Sequence, residues 1–123
     1  MLYQYIVKDN DMFGRDILRS KESGTPLAYR PTLEHATRQS ANKHNNNQTI
    51  DSIVPVVRVV DGLAVSTDSW KATFKFSALQ HIEDPTGAEL AFEALIQYVT
   101  ANKAVILAGG KPAGNDDLTV TIA

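Results

Sequence analysis

Cysteine is absent from this chain, which excludes disulfide bonds, thiolate metal sites and a cysteine nucleophile, and which fits a reducing compartment. The chain also lacks an apolar run of about 18 residues and a basic N-terminal stretch followed by an apolar one. We therefore expect a soluble protein with no export signal and no membrane partner.

Motifs for metal binding and catalysis are also missing. The three histidines His35, His44 and His81 are not spaced to place two rings on one helix face, so we expect no metal and no cofactor. No serine-nucleophile motif or phosphate-binding loop is present, since Gly109-Gly110 follows a predicted helix instead of preceding one. We expect a protein that is not an enzyme; a small α+β enzyme using His35 or His81 is the least favoured alternative.

The chain has an ordinary globular composition and an uneven distribution of charge. Its 123 residues, 43% apolar and 21% charged, suit a single domain over 1–123. The net charge is −2, yet residues 30–80 carry six Lys/Arg against four Asp/Glu, whereas residues 81–123 carry two against six. A polyanion would therefore prefer the first of these segments.

Residues 69–79 alternate without a break between apolar and polar side chains. This period of two predicts a strand with one dry and one wet face. The dry face carries Trp70, Ala72, Phe74, Phe76 and Ala78, and the wet face carries Ser69, Lys71, Thr73, Lys75 and Ser77. With two lysines and no acid, the wet face can rest in water or lie along phosphates.

Strands are predicted over 1–80, helices over 84–110 and a strand-like tail over 111–123. The strand candidates are 2–7 and 16–19, which form an N-terminal hairpin, then 32–42, 48–60 and 69–79, with the asparagines of 43–47 at a hairpin tip. Pro55 predicts a bulge or an edge position, and Asp61-Gly62 predicts a tight turn. Asp84-Pro85 begins the first helix, and Gly109-Gly110 and Pro112 end a short second helix over 102–107. This order predicts an α+β fold with helices on one face of an antiparallel sheet.

The predicted helices are too few to cover the predicted sheet. Five strands span roughly 24 Å, whereas one helix covers about 10 Å. We therefore predict an intimate dimer in which helices of one chain cross the sheet of the other. The predicted dimer core consists of Trp70, Phe74, Phe76, Phe92, Leu95 and Val99.

The polar strand faces are the leading candidate for a binding site. A sheet face of Arg, Lys, Ser and Thr offers phosphate contacts and hydroxyl donors to single-stranded RNA. The residues alone leave a solvent-exposed face without a partner as the alternative. The candidates on the predicted strands 32–42, 48–60 and 69–79 are Arg38, Ser40, Thr49, Lys71, Thr73, Lys75 and Ser77.

Four features occur in one order along the chain. Arg38-Gln39-Ser40 runs into a polar hairpin tip, and Gln48-Thr49-Ile50 restarts the next strand, with Pro55 six residues after Thr49. The aromatic-polar strand 72–76 leads through Glu83-Asp84 into a helix of Ala-Glu-Leu-Ala-Phe-Glu-Ala-Leu type, and a short second helix follows. In this order the chain resembles the coat proteins of single-stranded RNA bacteriophages, the levivirus type.

The resemblance implies an N-terminal hairpin, a five-stranded antiparallel sheet, two C-terminal helices and an interlocked dimer with a continuous sheet. It also implies an icosahedral shell assembled in the bacterial cytoplasm around phage RNA, binding of a genomic RNA hairpin that packages the genome and represses translation, and a maturation protein as a further partner. RNA contacts are implied for Arg38, Ser40, Thr49 and Lys71, and at shifted positions for Lys43 and Asn47. A free dimeric RNA-binding regulator with the same sheet is the alternative function.

Overall fold

The computed structural model describes residues 1–7, 15–21, 29–39, 45–79, 85–112, 114 and 117–122. The chain divides into two compact units, Met1–Gln80 and His81–Ala123. The first unit contains β1 (Tyr3–Val7), β2 (Arg15–Ser20), β3 (Thr32–Gln39), β4 (Asn45–Val60) and β5 (Leu63–Leu79), and the second contains α1 (Pro85–Ala101) and α2 (Lys103–Leu107). No helix within these described ranges is long and apolar enough to cross a membrane.

The five strands form one antiparallel sheet in the order β1-β2-β3-β4-β5. Each strand pairs with its neighbour in sequence, so the sheet is a meander. The predicted N-terminal hairpin is β1–β2, which supplies two of the five strands. The expected α+β fold, a five-stranded antiparallel sheet followed by two helices, is confirmed.

The prediction of a hairpin tip over 43–47 is wrong for its last three residues, because β4 already begins at Asn45. Asn46 pairs with Gln39 of β3 and with Ala78 of β5, and Asn47 pairs with Arg38 and Ser77. Ladder partners on both sides outweigh the weak strand propensity of asparagine. Residues 40–44 lie outside the described residues.

Pro55 occupies the edge position that the sequence predicts. The pairing of β3 with β4 ends at Ile53, so Pro55 has only β5 beside it, through its pairing with Ser69. A residue without an N–H group is tolerated where one side of the strand is open. Beyond Ile53 the sheet therefore continues as the two strands β4 and β5 alone.

The two-stranded part contains a bulge and ends in a two-residue turn. Val56 pairs with Asp68 and Arg58 pairs with Val65, so Ser66 and Thr67 together oppose Val57. In the turn, Asp61 and Gly62 have φ of 53° and 79°, as in the type I′ turns that match strand twist. The β5 strand thus begins at Leu63 and not at the predicted Ser69, because the bulge interrupts the alternation of side chains.

The helical unit ends as the sequence predicts. The N–H of Gly109 donates to Ile106 O at 2.9 Å, and that of Gly110 donates to Val105 O at 3.0 Å. Gly109 has φ of 85°, so α2 closes with a Schellman motif that needs glycine at this position. The strand-like tail predicted over 111–123 does not join the sheet in its described part, which includes residues 118–122.

Apolar side chains remain accessible in both units. Among the described residues no apolar side chain is buried in the single chain, and Ser20 is the one buried residue. Exposed apolar residues occur on β4 and β5 and along both helices. The described part of the single chain therefore lacks the dry core that normally stabilises a domain of this size.

Candidate nucleic-acid interface

One face of the sheet collects the polar candidates. In antiparallel pairs, directly opposed side chains lie on the same face, and the register links each candidate on β5 to partners on β4 and β3. We call this surface the polar face. It consists of four rows that cross the strands: Arg38-Asn47-Ser77, Arg15-Ala36-Thr49-Lys75, Ile17-Glu34-Asp51-Thr73 and Arg19-Thr32-Ile53-Lys71.

The register brings six of the eight predicted RNA-binding residues together on this face. They are Arg38, Asn47, Thr49, Lys71, Thr73 and Lys75. The other two, Ser40 and Lys43, lie outside the described residues. The grouping is a consequence of strand pairing, since these residues come from three strands.

Cations and anions are segregated by row. Arg15, Arg19, Arg38, Lys71 and Lys75 lie in three rows, whereas both acids of the face, Glu34 and Asp51, lie in the remaining row. Neighbouring rows are roughly 7 Å apart, because two residues of a strand rise that far. Five cations against two anions give the polar face a net positive charge, which favours a polyanion.

Asp51 is held by two residues of β5. The Thr73 hydroxyl donates to Asp51 Oδ1 at 2.7 Å, and Lys71 Nζ lies 3.8 Å from Asp51 Oδ2. The lysine is 57% exposed, so this ion pair stabilises the chain by at most about 1 kcal/mol. Lys71 is thereby partly neutralised, whereas Lys75 has no acid within ion-pair distance among the described residues.

A second hydrogen bond fixes the row that begins with Arg38. The Ser77 hydroxyl donates to Asn47 Oδ1 at 2.7 Å, which leaves the two N–H groups of the Asn47 side chain as donors beside the exposed Arg38. An amide and a guanidinium side by side can both bind phosphate or base oxygens. The free N–H donors of this row therefore belong to Asn47 and Arg38, while the Ser77 hydroxyl, whose hydrogen is donated to Asn47, keeps only acceptor capacity.

Sequence reasoning missed Arg15 and Arg19 as members of the polar face. They are half-buried, and the register places them in the rows of Lys75 and Lys71. The predicted strand, 16–19, contains Arg19 but stops one residue short of Arg15; within the observed β2, their spacing of four residues directs both to one side. The face on which these arginines lie depends on how β2 pairs with β3. The sequence of β2 alone does not specify that pairing.

The opposite face of the sheet, which we call the apolar face, carries the predicted aromatic core residues. Trp70 is 72% exposed, and Val54 beside it is 39% exposed. Phe74 and Phe76 are half-buried. Trp70 lies beyond the end of the β3 pairing, so among the described strands its row contains only Val54 beside it.

The helical core candidates are exposed on their own unit. Phe92, Leu95 and Val99 of α1 are each between 42% and 44% exposed. All six predicted dimer-core residues therefore retain accessible apolar surface in the single chain. Their assembly into one core shared with a second chain stays a prediction.

Among the described residues, His35 is the only histidine. His35 lies on the apolar face, with Nε2 2.9 Å from Gln48 Oε1. His44 and His81 lie outside the described residues. Within the described part of the chain, no group of three or more His, Asp or Glu residues could hold a metal ion.

Comparison with known proteins yields matches among solved structures. No protein-family model and no curated protein sequence matches the chain. A virus-like particle of bacteriophage AC is similar over 98% of this chain and 100% of that one, with 27% identity and a TM-score of 0.78. A virus-like particle of Beihai levi-like virus 21 matches over 91% and 87%, at 20% identity and a TM-score of 0.70. The bacteriophage EMS014 coat protein matches over 95% and 70%, at 14% identity and a TM-score of 0.63.

Proposed function

The chain has the fold of the coat proteins of levi-like RNA bacteriophages, and from this premise we propose that it is a structural capsid protein. It assembles as dimers into an icosahedral shell around single-stranded RNA and acts without catalysis. The matched structures support a capsid coat protein, and the chain of the bacteriophage AC particle corresponds over its entire length. The protein belongs, on this proposal, to the virion and assembles in the bacterial cytoplasm.

The observation that carries the proposal is the accessible apolar surface of both units. No apolar side chain is buried among the described residues, and the Trp70 indole is 72% exposed. Burying a large apolar side chain stabilises a protein by about 1.5–3 kcal/mol. A second chain that covers this surface would therefore stabilise the dimer. Obligate dimers are held by large apolar interfaces of this kind, of roughly 2,000 Å² or more.

The dimer that we propose covers the apolar face of each sheet with helices of the partner. The five strands span roughly 24 Å, and α1 covers about 10 Å of that width. Phe92, Leu95 and Val99 would then join Trp70, Phe74 and Phe76 in a core shared between two chains. A second copy thus supplies the dry environment that the single chain lacks.

The polar face lines the inside of the proposed shell and contacts RNA phosphates. Its net positive charge and its three cation-bearing rows support this assignment. Thr73 and Ser77 already donate to Asp51 and Asn47, so Lys75, Arg38 and the Asn47 amide are the principal donors. Phosphate contacts dominate affinity and carry no sequence information directly, so we propose general RNA contact, with hairpin-specific packaging and repression as further functions of the same face.

Particle formation is the test of the proposed function. Recombinant protein should sediment as uniform shells tens of nanometres across, visible by electron microscopy, that hold host RNA protected from added ribonuclease. Protein dissociated in denaturant and then refolded without RNA provides the control for RNA content. A stable dimer that never forms particles, yet binds RNA, would replace the capsid with the free dimeric RNA-binding regulator.

A further inference from the structure

Gln97 on α1 binds the main chain of Thr121 through both atoms of its side-chain amide. Nε2 donates to Thr121 O at 2.7 Å, and the Thr121 N–H donates to Oε1 at 3.0 Å. Nε2 also donates to Glu93 Oε2, one turn earlier on the helix, at 3.0 Å. Because Nε2 has two acceptors and Oε1 has a donor, these hydrogen bonds fix the orientation of the Gln97 amide.

This double hydrogen bond shows the conformation of the bound segment. One amide can bond the N–H and the C=O of a single residue only where the two groups point the same way, as they do in extended backbone. Thr121 is therefore extended, with Gln97 in the place that a neighbouring strand would take. The period-two pattern of residues 118–122, Leu-Thr-Val-Thr-Ile, is typical of a strand.

The other edge of this segment is open. The planar peptide groups on either side of Thr121 direct the Val120 C=O and the Ile122 N–H away from Gln97. Continued extension of the backbone, which the period-two pattern predicts, directs the groups of Leu118 the same way. Within the described residues, none of these main-chain groups makes a hydrogen bond. The side chains of Leu118 and Ile122 are 42% and 37% exposed. An open strand edge of this kind is a template for another strand.

The segment is complementary to itself. Read from either end, residues 118–122 alternate a branched apolar side chain with threonine, and Val120 is at the centre. When two copies run antiparallel about Val120, Val120 faces its own counterpart, Leu118 faces Ile122 of the second copy, and Thr119 faces Thr121. The residues that exchange hydrogen bonds in this register are 118, 120 and 122, whose groups point away from Gln97.

We propose that residues 118–122 pair with the same residues of a second copy, as an antiparallel ladder across a two-fold axis. Contacts across such an axis require a surface complementary to itself, and this segment meets that condition in both side chains and main chain. The proposal rests on the self-assembly proposed above. A ladder of five residues is weak alone, so it would join subunits that larger interfaces already bring together.

A single introduced cysteine tests the pairing, since the chain has none of its own. In the proposed register, Val120→Cys faces its twin at a Cα separation of about 5.5 Å, within the range that a disulfide spans. Thr119→Cys is the matched control, because its twin lies two positions out of register, roughly 8 Å away. After mild oxidation of assembled protein, a non-reducing gel should show most Val120→Cys chains at twice the monomer mass and Thr119→Cys chains as monomers. Equal cross-linking at both positions, preferential cross-linking at 119, or none at 120 would overturn the proposal.

Gln97→Leu, added to Val120→Cys, tests whether the helix orients the segment. Loss of both hydrogen bonds to Thr121 should lower the cross-linked fraction several-fold, with helix content unchanged by circular dichroism. An unchanged fraction would show that Gln97 does not prepare the edge. If the wild-type protein forms no particles, the proposed shell is refuted, and the cross-link can still be measured on dimers. If particles form but Val120→Cys chains stay unlinked, only the pairing is refuted.

Discussion

Trp70→Ala is the most direct test of the dimer, because Trp70 is the most exposed aromatic side chain on the apolar face. Full burial of a tryptophan removes up to about 250 Å² from water, and 72% of Trp70 is still exposed in the single chain. A partner could therefore cover about 180 Å², worth about 4.5 kcal/mol per chain at 25 cal/mol per Å². This agrees with the range of about 3–5 kcal/mol for Trp→Ala in cores.

Each dimer contains two copies of the site, so the variant should lose at least about 6 kcal/mol of dimer stability. That loss raises the dimer Kd by roughly four orders of magnitude. Sedimentation equilibrium at micromolar protein should show the variant as monomer or as unfolded chain, and the wild type as dimer or particle. Ser69→Ala, on the opposite face of the same strand, is the control and should behave as the wild type does.

The wild type provides a second readout, since Trp70 is the only tryptophan of the chain. Its fluorescence should be blue-shifted in the assembled protein and should shift to the red as the dimer dissociates. A wild-type emission typical of exposed indole, together with a Trp70→Ala variant that stays dimeric, would refute the reasoning that this face forms a core between two chains.

Three further predictions concern the polar face and the turn. Lys75→Gln should lower the slope of log affinity for single-stranded RNA against log salt concentration by about 0.7, so that raising salt from 50 to 200 mM weakens binding by the variant roughly 2.6-fold less than binding by the wild type. Lys71→Gln should change this slope less, because the charge of Lys71 is shared with Asp51. Equal effects of the two variants would contradict this ranking. Asp51→Asn keeps an acceptor for Thr73 but removes a negative charge roughly 7 Å from the neighbouring rows, and it should tighten RNA binding about threefold. Fluorescence anisotropy of a labelled RNA measures this affinity and the salt dependence of the lysine variants. Weaker binding by Asp51→Asn would argue against phosphate contact at this row. Gly62→Ala meets no atom within 4 Å but must adopt a φ of 79°, so urea denaturation should show a loss of about 1 kcal/mol, whereas Gly110→Ala, without a positive φ, should show almost none.

Local sequence is sufficient for the order of the elements, for some of their ends and for the fold class. The alternation over 69–79 identifies the central part of β5, because side chains of a strand alternate between faces whatever its partners are. Pro85 and the Gly109-Gly110 pair locate helix ends, since their backbone preferences act within a single turn. Pro55 likewise marks the point beyond which β4 has lost its pairing with β3. Each of these features depends on residues within a few positions of one another.

The composition of the two sheet faces depends on the bulge at Ser66 and Thr67, because the bulge sets which residues of β5 lie opposite which residues of β4. Counted from the turn at 61–62 without a bulge, Asp51 would face Ala72; with it, Asp51 faces Thr73. A slip of one residue moves every side chain of a strand to the other face. Without the bulge, the lysines of β5 would share a face with Ile50 and His35, and the aromatic residues would share a face with Arg38. Only long-range pairing therefore separates a basic, polar face from an apolar one, and the same pairing brings Arg15 and Arg19 to the polar face.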